Sequence, residues 1–118
     1  MINMPSRDNL QQQWHALEFA LIERLQIKSG MDSILLFIGI REAGLPPKEF
    51  TENEKINLRQ MAVCTILVAA GYYQLLWVDD FGWPNFKQLQ REPEMRSVER
   101  ENFLKPWILL YVEKNKLV

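Results

Sequence analysis

His15 is the sole histidine of the 118 residues, and Glu18 follows it by about one helical turn. That spacing could set two metal ligands on one helix face. A structural zinc site asks for four ligands, which one histidine and one cysteine cannot supply. A carboxylate-rich site for a hard cation would have no motif behind it. The reading is no metal, no cofactor and an exposed or locally bonded His15. Cys64 stands inside an apolar run, where burial raises a thiol's pKa and blocks access to it. It reads as a packed side chain rather than a nucleophile. Asp79 and Asp80 could pair as acid and base or hold a cation, but adjacent turn residues point in different directions. An Asp at the first position of a turn is explained by the turn itself. There is no Ser/His/Asp ordering, phosphate-cradling glycine loop or CxxC anywhere in the chain. Catalysis has no foothold.

The aromatic residues carry more information. Tyr72, Tyr73, Trp77, Phe81, Trp83 and Phe86 place six of the 13 aromatics between positions 72 and 86. Asp79-Asp80-Phe81-Gly82 between them matches a type I turn closing through a G1 bulge, with Tyr72–Val78 and Trp83–Gln88 as the two strands. Pro84 cannot donate to a ladder, so its strand should be an edge. Strict alternation sends Tyr73, Leu75 and Trp77 to one face and Tyr72, Gln74, Leu76 and Val78 to the other. Both faces are then apolar. A two-stranded hairpin is marginal alone, so some of these rings must pack on the helices as core. Both apolar faces exceed what one core needs, and the surplus also marks the six aromatics as a candidate binding surface.

Four helices must support that hairpin. The first is expected over Asn9–Lys28, with Asp8 and Gln11 spaced as a capping box and Gly30 as the left-handed stop. Leu10, Trp14, Leu17, Leu21 and Leu25 form its apolar stripe, while Phe19, Ile22 and Ile27 suggest contacts on a second side. A short buried helix over Ser33–Ala43 should take Asp32 as N-cap, Met31 and Leu36 as a staple, and Gly44 as C-cap before Pro46 and Pro47. Thr51-Glu52-Asn53-Glu54 is a second capping box opening a helix to about Ala70, with Gly71 as its cap. From Met61 to Ala70 this helix is apolar nearly all round, which puts it at the centre of the domain. A last helix over Ser97–Lys114 contains Pro106, which removes the bond to Asn102 and should kink or break it. The fold class is therefore mainly α, with about four helices and one β-hairpin after the third.

Composition sets the bounds. The length fits a single domain over 1–118, with residues 1–7 as a flexible start. A hydrophobic fraction of 47% and a charged fraction of 25% are ordinary globular values. Fourteen basic against 15 acidic residues give no field for drawing in nucleic acid or anionic lipid. Met61–Val78 approaches spanning length, yet it carries Thr65, Gly71, Tyr72, Tyr73 and Gln74 and no flanking basic cluster. No signal peptide is visible, and a lone cysteine suits a reducing compartment. A cytoplasmic protein with no membrane partner is expected.

Three stretches, Leu35–Gly44, Phe50–Tyr73 and Asp79–Phe86, resemble a conserved bacterial family of small uncharacterised proteins. The pieces that carry the resemblance are Leu36-Phe37-Ile38-Gly39-Ile40, Ala62-Val63-Cys64-Thr65 and Asp79-Asp80-Phe81-Gly82-Trp83-Pro84-Asn85-Phe86. They cover roughly the middle half of the chain and imply a folded family member without an activity to carry over. The element order also resembles a winged-helix domain with a C-terminal extension. Three functions follow as expectations. The first is a non-catalytic domain engaging a protein partner or a second copy through the hairpin, with Trp107–Val112 as a further contact. The alternative is winged-helix DNA binding, against which Glu52 and Glu54 offset Lys55 and Arg59. The last is a small-molecule site built from Tyr72, Tyr73, Asp79, Asp80 and Trp83.

Overall fold

The computed structural model describes residues 7–46 and 48–117, together with the backbone of Arg7 and Asp8 but not their side chains. Element order is α1 Arg7–Leu25, α2 Met31–Ala43, α3 Glu52–Leu67, β1 Tyr73–Val78, β2 Pro84–Gln88 and α4 Ser97–Lys114. The expected four helices and single hairpin are present. Among the described residues, no helix is long and apolar enough to cross a membrane. The segment expected to be flexible lies outside the described residues except for Arg7, whose backbone is already helical.

Local signals explain most of the boundaries. Thr51 caps α3 as expected: its hydroxyl accepts the Glu54 N–H at 3.2 Å and the Glu54 carboxylate accepts the Thr51 N–H at 2.9 Å. Gly44 closes α2 in the left-handed region at φ 65°, with its N–H donated to Arg41 O and Ile40 O. Helix α4 runs unbroken through Pro106. The missing N–H leaves one carbonyl without its helical donor, and flanking burial of Leu104 and Ile108 holds the turn together.

Four expected caps are corrected. Arg7 and Asp8 are already helical, so Asp8 lies within α1 rather than ahead of it. It ends at Leu25, and the left-handed residue is Gln26 at φ 55°, not Gly30. Gln26 N–H reaches Ile22 O and Ile27 N–H reaches Leu21 O, which satisfies the last carbonyls without glycine. Gly30, at φ 106° and ψ 156°, is instead the N-cap of α2, which therefore starts before Asp32. The reason is tertiary. Glu18 on α1 accepts the Gly30 N–H at 3.1 Å, and Met31 is buried in the core, which draws the start of α2 back by two residues, from Ser33 to Met31. Helix α3 also ends early, at Leu67 rather than Ala70, so that its C-cap is Val68 and not the expected Gly71. Residues 68–71 form a tighter turn, closed by Gly71 N–H to Val68 O and Tyr72 N–H to Leu67 O, with Gly71 at φ 84°.

The main core joins one stripe from each helix: Trp14, Leu17 and Leu21; Ile34, Leu35 and Ile38; Ala62, Val63, Ile66 and Leu67; Leu104, Ile108 and Val112. Six of the seven residues Met61–Leu67 are buried, so α3 is central as expected. Phe19 and Ile22 are exposed, so α1 is packed on one side only. A second cluster forms where α2 meets the hairpin, from Ala43, Leu58 and Met61 with Trp83 and Phe86 against them.

A close backbone approach joins α2 and α3. A Cβ built on Gly39 would fall on the Leu58 carbonyl oxygen and lie 2.7 Å from the Leu58 carbonyl carbon. Only glycine lets these backbones meet, because any side chain would push α2 off α3. In an open helix, Gly→Ala would be stabilising by about 1 kcal/mol. Here Gly39→Ala should instead destabilise by about 3 kcal/mol or more through overpacking, as read by urea unfolding. A neutral or stabilised variant would contradict the close crossing.

The capping box has its own pH signature. The Thr51 N–H, and next Lys48, hold the Glu54 carboxyl below the usual carboxylate range. A depressed carboxylate contributes stability fully above its unfolded pKa, and that contribution is lost as pH falls through the folded one. The stability gap between wild type and Glu54→Gln should thus shrink below about pH 4 in urea melts run across pH. A constant gap would contradict it.

Candidate interaction surface

The hairpin is fastened at both ends. At its base, Leu89 N–H donates to Tyr72 O at 2.8 Å and Gln90 Nε2 donates to Gly71 O at 3.2 Å. At its tip, Gly82 N–H donates to Asp79 O, Asp79 N–H donates to Trp83 O, and Gly82 sits at φ 84°. The Asp79 carboxylate accepts the Phe81 N–H at 3.0 Å and the Trp83 N–H at 2.9 Å. This is the turn the residues Asp79–Gly82 called for. Asp79 therefore works inside the turn, and Asp80 is exposed beside it.

Between tip and base the register holds one irregularity. Tyr73 pairs with Gln88, Gln74 with Lys87 and Leu75 with Phe86; then Trp77 pairs with Asn85 and Val78 with Pro84, leaving Leu76 as the extra residue of a β-bulge. Since β2 alternates regularly, Tyr73, Leu75 and Val78 share the face of Gln88, Phe86 and Pro84. Gln74 and Trp77 share the other face, with Lys87 and Asn85. The expected grouping of Trp77 with Tyr73 and Leu75 is corrected: one inserted residue exchanges the faces beyond it.

The six aromatics divide accordingly. Tyr72 is half-buried and meets Phe103 edge-on, ring centroids 5.6 Å apart. Tyr73 is half-buried against the main core. Burial, followed by the charge of nearby groups, pushes its phenol pKa up. Trp83 and Phe86 pack on the second cluster, and Pro84 between them is buried. Trp77 and Phe81 do neither, being 57% and 91% exposed. Leu75, Leu76 and Val78 are exposed beside them. From Gly71 to Val78 no residue is charged. The open surface is thus β1 and the turn tip, while β2 and the strand's first residue anchor it.

The other candidate residues do not assemble a site. His15 is exposed, and Glu18 caps Gly30 rather than turning to it. No group of three His, Cys, Asp or Glu that could hold a metal occurs among the described residues. Cys64 is buried, with burial raising its pKa and Gln60 as a weak donor at 4.0 Å. Tyr73 and Asp79 stand six residues apart along an extended strand, about 20 Å. The five residues grouped as a small-molecule site therefore do not converge. Trp107–Val112 is also corrected as a contact surface, because Ile108, Tyr111 and Val112 are buried and Trp107 is half-buried.

One polar cluster had no signal in the sequence. Tyr111 Oη donates to Glu42 at 2.6 Å, and Arg41 donates to both Tyr111 Oη, at 2.9 Å, and Glu42, at 3.1 Å. Burial and then the Glu42 carboxylate hold the phenol protonated far above its ordinary range. The cluster borders a groove of about 410 Å³ lined by Trp107, Leu110 and Lys114. Each of its three polar groups already answers another, so it ties α2 to α4. Residues some 70 positions apart give no local pattern to read.

No protein family, curated protein or solved structure compared with this chain matches it. Any reading of function therefore rests on the hairpin itself.

The turn supplies a direct check of that geometry. Asp79→Ala removes the acceptor for two backbone N–H groups and should cost about 1–2 kcal/mol, felt in the hairpin first. Amide exchange over 73–88 should accelerate about tenfold while the helical circular dichroism stays unchanged. Unaltered exchange in the hairpin would show that the carboxylate does not hold the turn.

Proposed function

We propose that this chain is a non-catalytic protein-interaction domain whose contact surface is β1 with the turn tip at Phe81. The observation that carries the reading is the run of four exposed apolar residues Leu75, Leu76, Trp77 and Val78 on a strand with no charge, with exposed Phe81 beyond them at the turn tip. Singly exposed apolar residues are ordinary on a protein surface, whereas four in succession, exposed on both faces of one strand, make an apolar edge suited to a contact. Its two rings are the residue types that dominate binding energy where interfaces have been dissected. A buried lone cysteine and the chain's neutral balance suit a reducing, cytoplasmic setting with a protein rather than a polyanion as partner.

No observation favours the nucleic-acid alternative. The helix that would enter a groove, α3, has Leu58 and most of its second half in the core, and its Lys55 is paired with Glu52 at 3.3 Å.

The test removes the two rings without touching the core. Trp77→Ser combined with Phe81→Ser should change unfolding free energy by no more than about 0.5 kcal/mol, since both side chains are exposed. Retention on a hydrophobic-interaction column and enhancement of an apolar dye's fluorescence should fall sharply against wild type. Equal retention and equal dye response in the two proteins would overturn the reading.

A further inference from the structure

We propose that the partner of this surface is a second copy of the chain, paired antiparallel through β1 about a two-fold axis that crosses the middle of the strand. The inference rests on the interaction reading above and names its occupant.

The two free edges of the hairpin are unlike. The sheet has two strands, so each strand leaves one row of backbone groups without a neighbour. On β2, Pro84 and Lys87 interrupt that row with a missing donor and a charge, the devices by which edges resist pairing. On β1, Tyr73–Val78 carries neither a proline nor a charge. Its bulge at Leu76 shortens the ladder a second strand can form, so side chains must contribute to the contact. A stable interface hides roughly 800 Å² per partner. Trp77 and Phe81, at 57% and 91% exposure, supply on the order of 300 Å² of that in ring-residue area. Leu75, Leu76 and Val78 add to it.

Charge selects the orientation. The turn end of the hairpin carries exposed Asp80; the base carries exposed Arg91, directly after Gln90, whose side chain binds Gly71 O. Exposed Lys87 faces Gln74 toward the same end. None of these three charges has an ion-pair partner among the described residues. Parallel hairpins would set acid beside acid and base beside base. Antiparallel β1 strands, with the axis between Leu75 and Leu76, bring each turn end beside the partner's Gly71. Arg91 continues the β2 side, two strand spacings or about 10 Å from the partner's Asp80, a gap the extended arginine and the carboxylate span together. The same contact occurs twice, as two-fold symmetry requires.

Light scattering coupled to size exclusion over a concentration series tests this. The wild-type mass should climb from 14.0 kDa toward twice that value. Asp80→Arg alone and Arg91→Asp alone should each weaken the dimer about tenfold, since the contact is duplicated. The double exchange should restore it to within about threefold, and high salt should shrink all three differences. Both residues are exposed, and unchanged helical circular dichroism would confirm that the variants fold. If the single exchanges weaken the dimer and the double does not recover, the antiparallel geometry is overturned. A wild type that stays at 14.0 kDa while its apolar-dye response still depends on Trp77 and Phe81 overturns self-pairing and leaves the interaction reading standing.

Discussion

The backbone contact between Gly39 and Leu58 fixes how α2 lies on α3, and the rest of the structure is arranged around that pair. Because no side chain stands between the helices there, Leu58 reaches past α2 into the second cluster, where Ala43 and Met61 complete a small apolar floor. The hairpin stands on that floor through Trp83 and Phe86. On the other side of α3, Ala62, Val63, Ile66 and Leu67 face the main core shared with α1 and α4. One helix thus serves two clusters, which is why its second half, Met61–Leu67, is apolar nearly all round. Displacing α2 would disturb both clusters, and the hairpin's footing with them.

That footing divides the hairpin into a buried strand and an open one. Pro84, Asn85 and Phe86 are buried or half-buried on β2, whereas β1 is exposed from Gln74 onward. The bulge at Leu76 then exchanges the faces beyond it, so that Trp77 leaves the side of Tyr73 and Leu75. A regular strand would have kept Trp77 on the face that looks toward Phe86. Trp77 on the strand and Phe81 at the tip are thus the exposed rings, and neither belongs to either core cluster.

The residues read most reliably from sequence were those whose structure is decided within a few positions. The Thr51–Glu54 box, the Gly44 cap, the Asp79–Gly82 turn and the span of α4 all depend on local hydrogen bonds, and all were legible. Caps decided by a distant partner were not. Glu18 binds Gly30 across 12 positions and moves the start of α2 ahead of Asp32; no local pattern announces that. The Gly39 crossing and the Arg41–Glu42–Tyr111 cluster are likewise meetings of separate helices. For the surface, the crowding of aromatics between 72 and 86 singled out the hairpin. It could not say which rings are anchors, because the bulge that sorts them has no sequence mark beyond an apolar run of uniform type.

The central claim is that β1 is an open, uncharged edge on a rigid helical body, held ready for a second copy. Amide exchange measured residue by residue across a range of protein concentration addresses it most directly. Exchange of the amides in Gln74–Val78 should slow as concentration rises, while those of β2 and the four helices stay constant. Exchange over Gln74–Val78 that is independent of concentration, or slowing spread evenly over the whole chain, would contradict the account.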